Sequence, residues 1–146
     1  MGSRRKAREL ALQYLYKLDV SGEKYDPHTV AGFFHEFGGK DEDADYAILL
    51  IQNTEKHRGE IDGLITKHLE NWTLDRLSTI DRNILRFATC ELLYFLDIPL
   101  NVTINEAIEV AKKFSLEESA TFINGVLDKV AKSTRKGQQQ DQKEEK

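Results

Sequence analysis

Apolar residues along this chain recur at spacings of three and four, and no strict alternation of apolar and polar positions runs beyond a few residues. Residues 3–20 put Ala7, Leu10, Ala11, Tyr14 and Leu18 on one stripe of a first helix, with Ser21-Gly22 as its stop signal. A short aromatic helix is predicted over 28–37, closed by Gly38-Gly39. Asp41, Glu42, Asp43 and Asp45 then crowd the start of a third helix, where the macrodipole favours negative charge, and it runs through Leu49, Leu50 and Ile51 to about residue 58. Only Gly59 divides it from a fourth helix over 60–69, so the two are expected to form a kinked pair.

Three capping boxes punctuate the second half, each a hydroxyl residue followed three positions later by a carboxylate. Ser78-Thr79-Ile80-Asp81 opens a helix to about residue 96, and Ile80, Ile84, Phe87, Ala88, Leu92 and Phe95 form its stripe. Leu85, Leu93 and Leu96 widen that stripe, which makes this the central helix, with Cys90 as packing. After the break at Pro99, Thr103-Ile104-Asn105-Glu106 opens a helix on Ile104, Ala107, Ile108 and Ala111. Ser115-Leu116-Glu117-Glu118 opens a last one on Ile123, Val126, Leu127 and Val130. In Asn124-Gly125 the flanking helical periodicity argues for a glycine that permits close packing rather than a hairpin turn.

The fold class is therefore all-α: a compact single-domain bundle of about seven helices, divisible into two helical subdomains. Residues 1–132 form the domain, and 133–146, without one apolar residue, are expected to be a disordered polar tail. At 146 residues the chain is long enough for one real core. No apolar run approaches the roughly 20 residues that cross a bilayer, and the basic start leads into Glu9 and Gln13 rather than a secretion signal. A single Cys leaves no internal disulfide and no thiolate set for zinc, which fits a reducing compartment and a cytoplasmic setting.

Charge changes the picture more than composition does. Against a net charge of −4, residues 1–20 carry five basic groups and two acids, so positive charge gathers at the amino end of an otherwise acidic chain. Such a protein repels most polyanion approaches while offering one local phosphate site. On a helical projection Arg5, Arg8, Glu9, Leu12 and Tyr16 share the side opposite the apolar stripe, and Arg4 and Lys6 add charge at the start. Guanidinium groups grip phosphate through paired donors, and an exposed tyrosine stacks on unpaired bases, a combination suited to single-stranded RNA. The same residues also fit a solvated terminus with Tyr16 as a rim aromatic over the core. Phe114 and Phe122 lie at the edges of their stripes near Lys112, Lys113 and Lys129, where they either line one groove with the first helix or close the core.

No motif for catalysis or metal binding emerges: the four His form no zinc pair, Gly38-Gly39-Lys40 continues with Asp41, and Cys90 sits in core periodicity. No cofactor is expected.

Arg4-Arg5-Lys6-Ala7-Arg8-Glu9 with Gln13 and Tyr16, Ile80-Asp81-Arg82-Asn83-Ile84-Leu85-Arg86, Pro99, Val102, Ile104-Asn105-Glu106-Ala107-Ile108-Glu109 and Phe122-Ile123-Asn124-Gly125-Val126-Leu127-Asp128-Lys129 closely resemble the NusB family of bacterial transcription antitermination factors, from about residue 4 to 131. The resemblance implies an all-helical RNA-binding protein without enzyme activity. Such a protein pairs with NusE, a ribosomal small-subunit protein, on the single-stranded boxA element of ribosomal RNA leaders, and helps the RNA polymerase antitermination complex resist termination. It maps the family's arginine-rich motif onto Arg4, Arg5, Lys6 and Arg8, where Lys6 keeps the charge but loses the planar fork. It maps the RNA-facing tyrosine onto Tyr16 and an affinity-tuning acid onto Glu118; on the reading of stripe edges above, Lys113, Phe114 and Phe122 are expected to complete the groove. Asp81 and Arg76 fall on the NusE-facing side, and Asn105, Glu106, Asn124 and Gly125 on caps and close packing.

Two other readings stand beside this one. A stand-alone RNA-recognition module would be similar to the helical domain of ribosomal RNA cytosine methyltransferases, although this length leaves no room for a methyl-donor fold. A homodimeric helical scaffold would have an incidental basic end, and a second copy of the chain would bury the RNA face.

Overall fold

The computed structural model describes residues 2–37 and 41–134, and the described residues contain seven α-helices and no strand. They are α1 (Gly2–Ser21), α2 (Pro27–Phe37), α3 (Asp41–Lys56), α4 (Arg58–Lys67), α5 (Thr79–Tyr94), α6 (Leu100–Phe114) and α7 (Glu117–Ser133), with a 3₁₀ turn at Leu74–Arg76. The Gly38-Gly39 stop and residues 135–146 of the expected tail lie outside the described residues, while Ser133 ends α7. None of these helices is long and apolar enough to cross a membrane.

Helix α5 is the hub, packing on α1, α3, α4, α6 and α7. Its residues Asn83 to Leu92 are buried without a break, so this helix is enclosed all round rather than amphipathic. Each helix contributes buried apolar residues to one contiguous core, including all five predicted stripe residues of α1 and all four of α7. Leu96 falls past the end of α5 and is exposed. Gly22, at φ +75°, supplies the left-handed residue after α1, its N–H donating to the Leu18 carbonyl at 2.9 Å. Cys90 is wholly buried, and that burial pushes its thiol up to about 12.

Only one of the three capping boxes works as a cap. Ser78 accepts from the Asp81 N–H at 3.1 Å at the start of α5. Helix α6 instead begins at Leu100 behind Pro99, whose fixed φ of −59° suits a helix entry, and so Thr103 and Glu106 lie inside it. Thr103 donates to Glu91 at 2.9 Å, and Glu106 pairs with Arg5. Helix α7 starts one residue after Leu116, and Ser115 donates to Asp81 at 2.7 Å instead of capping. The α3–α4 kink sits at His57, not Gly59, where the His57 ring stacks on Tyr94 at 4.0 Å.

Gly125 does not serve close packing. It is exposed, and a Cβ built there would meet nothing within 4 Å, because the buried stripe of α7 runs along Ile123, Val126, Leu127 and Val130. Asn105 and Asn124 are likewise at the surface, leaving Glu106 as the buried member of that set.

Candidate nucleic-acid interface

Helix α1 is gripped by α3 on one flank and by α5 and α6 on another, so the face it shows to solvent is narrower than its sequence indicates. Arg8 is 2% exposed and makes a two-pronged ion pair with the fully buried Glu91, Nε to Oε2 at 2.7 Å and Nη2 to Oε1 at 2.9 Å. Burial opposes the Arg8 charge, and the hydrogen bonds and charge of Glu91 outweigh it, so the guanidinium stays protonated. Glu9 is buried and accepts from Lys113 at 2.9 Å, and Leu12 is in the core. The expectation that Arg8, Glu9 and Leu12 share an exposed face with Arg5 and Tyr16 is thus corrected: long-range partners draw the first three inward.

Arg4, Arg5, Lys6 and Tyr16 do face solvent. Arg5 keeps 47% of its side chain exposed while its Nε donates to Glu106 at 2.7 Å. The Arg4 guanidinium lies over the Tyr46 ring of α3, 4.8 Å from its centroid. Two turns on from Arg8, Tyr16 is 42% exposed and shares an apolar cleft of 180 Å³ with Leu12, Gln13, Ile80 and Phe114. Lys113 stands at the cleft's edge, its Nζ 5.5 Å from the Phe114 ring centroid. Of the groove expected between the first helix and the region from Phe114 to Phe122, the structure brings Tyr16 and Phe114 together.

Phe122 is not part of it. It lines a separate cavity of 310 Å³ with His68, Trp72, Gly125 and Lys129, because its position on α7 turns it toward the loop after α4. Glu118 is exposed in the first turn of α7, the turn that follows Phe114 and Ser115. Asp81 does not reach back to its own cap: its two carboxylate oxygens accept from Ser115 at 2.7 Å and Ser119 at 2.8 Å. Arg76 is exposed at the end of the 3₁₀ turn leading into α5.

Sequence reasoning missed Glu91, Tyr46 and Trp72. Glu91 had a signal, since a carboxylate between Cys90 and Leu92 in an apolar helix demands a buried counter-charge. Tyr46 in an acidic segment carried none. Trp72, 55% exposed, lies in a loop whose apolar content gives no periodicity to read. Among the described residues no group of His, Cys, Asp and Glu is arranged to hold a metal ion.

The model of the NusB family matches residues 5–132. The transcription antitermination protein NusB of Myxococcus xanthus is 47% identical over 136 residues, covering 90% of this chain and 96% of its own. That of Geobacter sulfurreducens is 47% identical over 131 residues, covering 90% and 95%. Among solved structures, NusB of T. maritima superposes with a TM-score of 0.80 at 38% identity, covering 90% of this chain and 92% of that one. A chain from a crystal structure of antitermination factors NusB and NusE in complex with double-stranded RNA gives 0.81 at 30% identity, covering 91% and 98%.

Proposed function

The chain belongs to the NusB family, and from that membership we propose that it is a transcription antitermination factor that binds boxA-type single-stranded RNA together with a NusE-type ribosomal protein. It has no catalytic role in this reading. It acts in the cytoplasm, on nascent ribosomal RNA leaders, as part of the RNA polymerase antitermination complex.

The observation that carries the proposal is the Tyr16–Phe114 cleft, on the same helix as the exposed cations Arg4, Arg5 and Lys6 and about three turns further along it. An exposed ring beside an apolar slot offers a place for an unpaired base, and a duplex keeps its bases stacked on one another. Arg4, Arg5 and Lys6 supply phosphate contacts, and Lys113 adds a cation at the cleft. Arg8 supports that surface from beneath through Glu91, and Phe122 belongs to a neighbouring face. Glu118 weakens the site by repelling phosphate, and Asp81 with Arg76 marks the side for the protein partner.

The test is fluorescence anisotropy with a labelled boxA oligonucleotide, alone and with NusE from the same organism. Binding is expected to tighten with NusE and to weaken when the oligonucleotide is annealed to its complement. Tyr16→Ala should cost about 1 to 3 kcal/mol of RNA affinity. Unchanged affinity in a folded Tyr16→Ala protein would remove the cleft from the interface. The apolar cleft also fits a second copy of the chain, and sedimentation with and without RNA separates the two: a homodimer on this face dissociates as RNA binds.

A further inference from the structure

Of the three arginines at the start of α1, two are engaged by carboxylates: Arg5 by Glu106 and Arg8 by Glu91. Arg4 forms no ion pair with a described carboxylate and rests instead on an aromatic ring. That ring is unusually well held for a half-buried tyrosine on a neighbouring helix. The Tyr46 hydroxyl donates to Glu91 Oε2 at 3.0 Å, and Phe95 meets the ring edge-on at 5.8 Å and 80°. The Arg8 guanidinium lies 5.8 Å from the same centroid. Glu91 is itself fixed by both prongs of Arg8 and by Thr103, so the ring is anchored through the hub helix.

A guanidinium centred over a ring can meet it with its flat face and so keep its N–H donors available around its edge. Those donors are the ones that grip a phosphate in paired fashion. Arg4 also borders an open cavity of 300 Å³ lined by Arg8, Ile98, Pro99 and Val102 and by the acids Asp97 and Glu106, so solvent reaches it there.

We propose that Tyr46 is a positioning residue for the RNA site: its ring holds the Arg4 guanidinium by the face and presents the edge donors to an RNA phosphate. The inference rests on the RNA-binding reading above. It adds a residue of α3 to a site otherwise built from α1, α5 and α6, and it assigns the buried Arg8–Glu91 pair a use, that of fixing the platform.

The experiment is a double-mutant cycle on RNA affinity in the full chain, measured at several salt concentrations, with fold checked by circular dichroism. Tyr46→Leu should weaken RNA binding roughly two- to fivefold, the weight of one exposed cation–π contact. It should have no further effect in an Arg4→Ala background, and Tyr46→Phe, which keeps the ring but gives up the hydroxyl bond to Glu91, should lose less than Tyr46→Leu. Arg4→Ala should lower the log–log salt slope by about one. Equal losses from Tyr46→Leu with and without Arg4 would reduce Tyr46 to a structural role and overturn the proposal. Should Tyr46→Leu fail to fold, Arg4→Lys answers from the surface: it keeps the charge and the salt slope but not the planar fork of paired donors, and should weaken binding roughly two- to fivefold, whereas full retention overturns the platform. The two readings fail differently. If Arg4→Ala is silent while Tyr16→Ala weakens binding, the platform is wrong and the RNA cleft stands; if both are silent, the RNA reading itself falls.

Discussion

Replacing Glu91 by Gln tests whether Arg8 is a core residue or a ligand for RNA. The Glu91 carboxylate is fully buried and accepts four hydrogen bonds, two from Arg8, one from Tyr46 and one from Thr103. Glu91→Gln leaves the Arg8 guanidinium, 2% exposed, without a counter-charge, a change that costs about 3 to 5 kcal/mol in comparable buried pairs. That is a large share of the roughly 5 to 15 kcal/mol that holds a domain together. With a urea slope of about 2 kcal/mol per molar, a loss of about 4 kcal/mol moves the unfolding midpoint down by about 2 M. Arg8→Met should cost a similar amount, since it strands the carboxylate. The double variant should recover about 2 to 3 kcal/mol of the summed loss, because neither charge is then left alone. It should also keep its salt slope when assayed below its unfolding transition, and lose no more RNA affinity than the roughly two- to fivefold assigned to the Tyr46 platform that the pair fixes. Single variants that cost under about 1 kcal/mol would show that the pair is not sealed from water. A folded double variant with a flatter salt slope would put Arg8 on phosphate after all.

Four further outcomes follow from particular side chains. Gly125→Ala should raise stability by about 0.5 to 1 kcal/mol, read as a higher Tm, since it removes a mid-helix glycine where an added Cβ meets nothing; a lower Tm would restore the close-packing role. Glu118→Gln should tighten RNA binding, most visibly at low salt, and unchanged or weaker binding would leave Glu118 as helix-terminus charge only. Asp81→Ala removes the acceptor shared by Ser115 and Ser119, leaving those hydroxyls only each other, and should cost about 1 to 3 kcal/mol by urea unfolding while weakening RNA binding without NusE; lost stability with unaltered affinity would uncouple the turn from the cleft. Burial raises the Asp19 carboxyl, but hydrogen bonds from Arg82 and Asn83 and the charges of Arg82 and Arg86 outweigh it, so it titrates below its usual range. A carboxyl depressed on folding gives stability that is present above its unfolded value of about 4 and is lost as pH falls through the folded one. Asp19→Asn should therefore flatten the acid limb of stability below about pH 4, and an unchanged limb would show that Asp19 is not part of it.

The helices were legible because their stripes are simple: α1 and α7 bury the residues that recur at three and four, and α5 announces its centrality by apolar residues on every side. What one sequence does not carry is the number of neighbours a helix has. A helical wheel assigns α1 one buried face, whereas α3, α5 and α6 enclose it from several directions. The residues that change sides do so for partners 83 and 104 positions away, Glu91 for Arg8 and Lys113 for Glu9. The capping boxes mislead for the same reason. Thr103 and Ser115 fit the local pattern, but their hydroxyls go to Glu91 and Asp81, bonds the spacing of a motif cannot reveal. Tyr16 and Phe114 were legible as a pair because both sit at the border of an apolar stripe, where a ring is half covered and half wet. Phe122 fits that description equally well and opens on a different cavity, since the border of a stripe fixes exposure but not which neighbour lies across it.

Asp81 joins the two faces of the proposed function. Through Ser78 it fixes the first turn of α5, and its carboxylate ties that turn to Ser115 and Ser119 at the α6–α7 corner. The residue before Asp81 is Ile80 and the residue before Ser115 is Phe114, and those two form the walls of the cleft that faces Tyr16. A partner protein that draws on Asp81 would pull on both walls one residue away, with Glu118 three residues beyond Ser115. Binding of partner and RNA would then be coupled through a short, stiff, hydrogen-bonded corner as well as through any surface they share. Coupling of this kind is reciprocal and amounts to about 1 to 3 kcal/mol in typical cases. It would let partner and RNA each tighten the binding of the other through that corner.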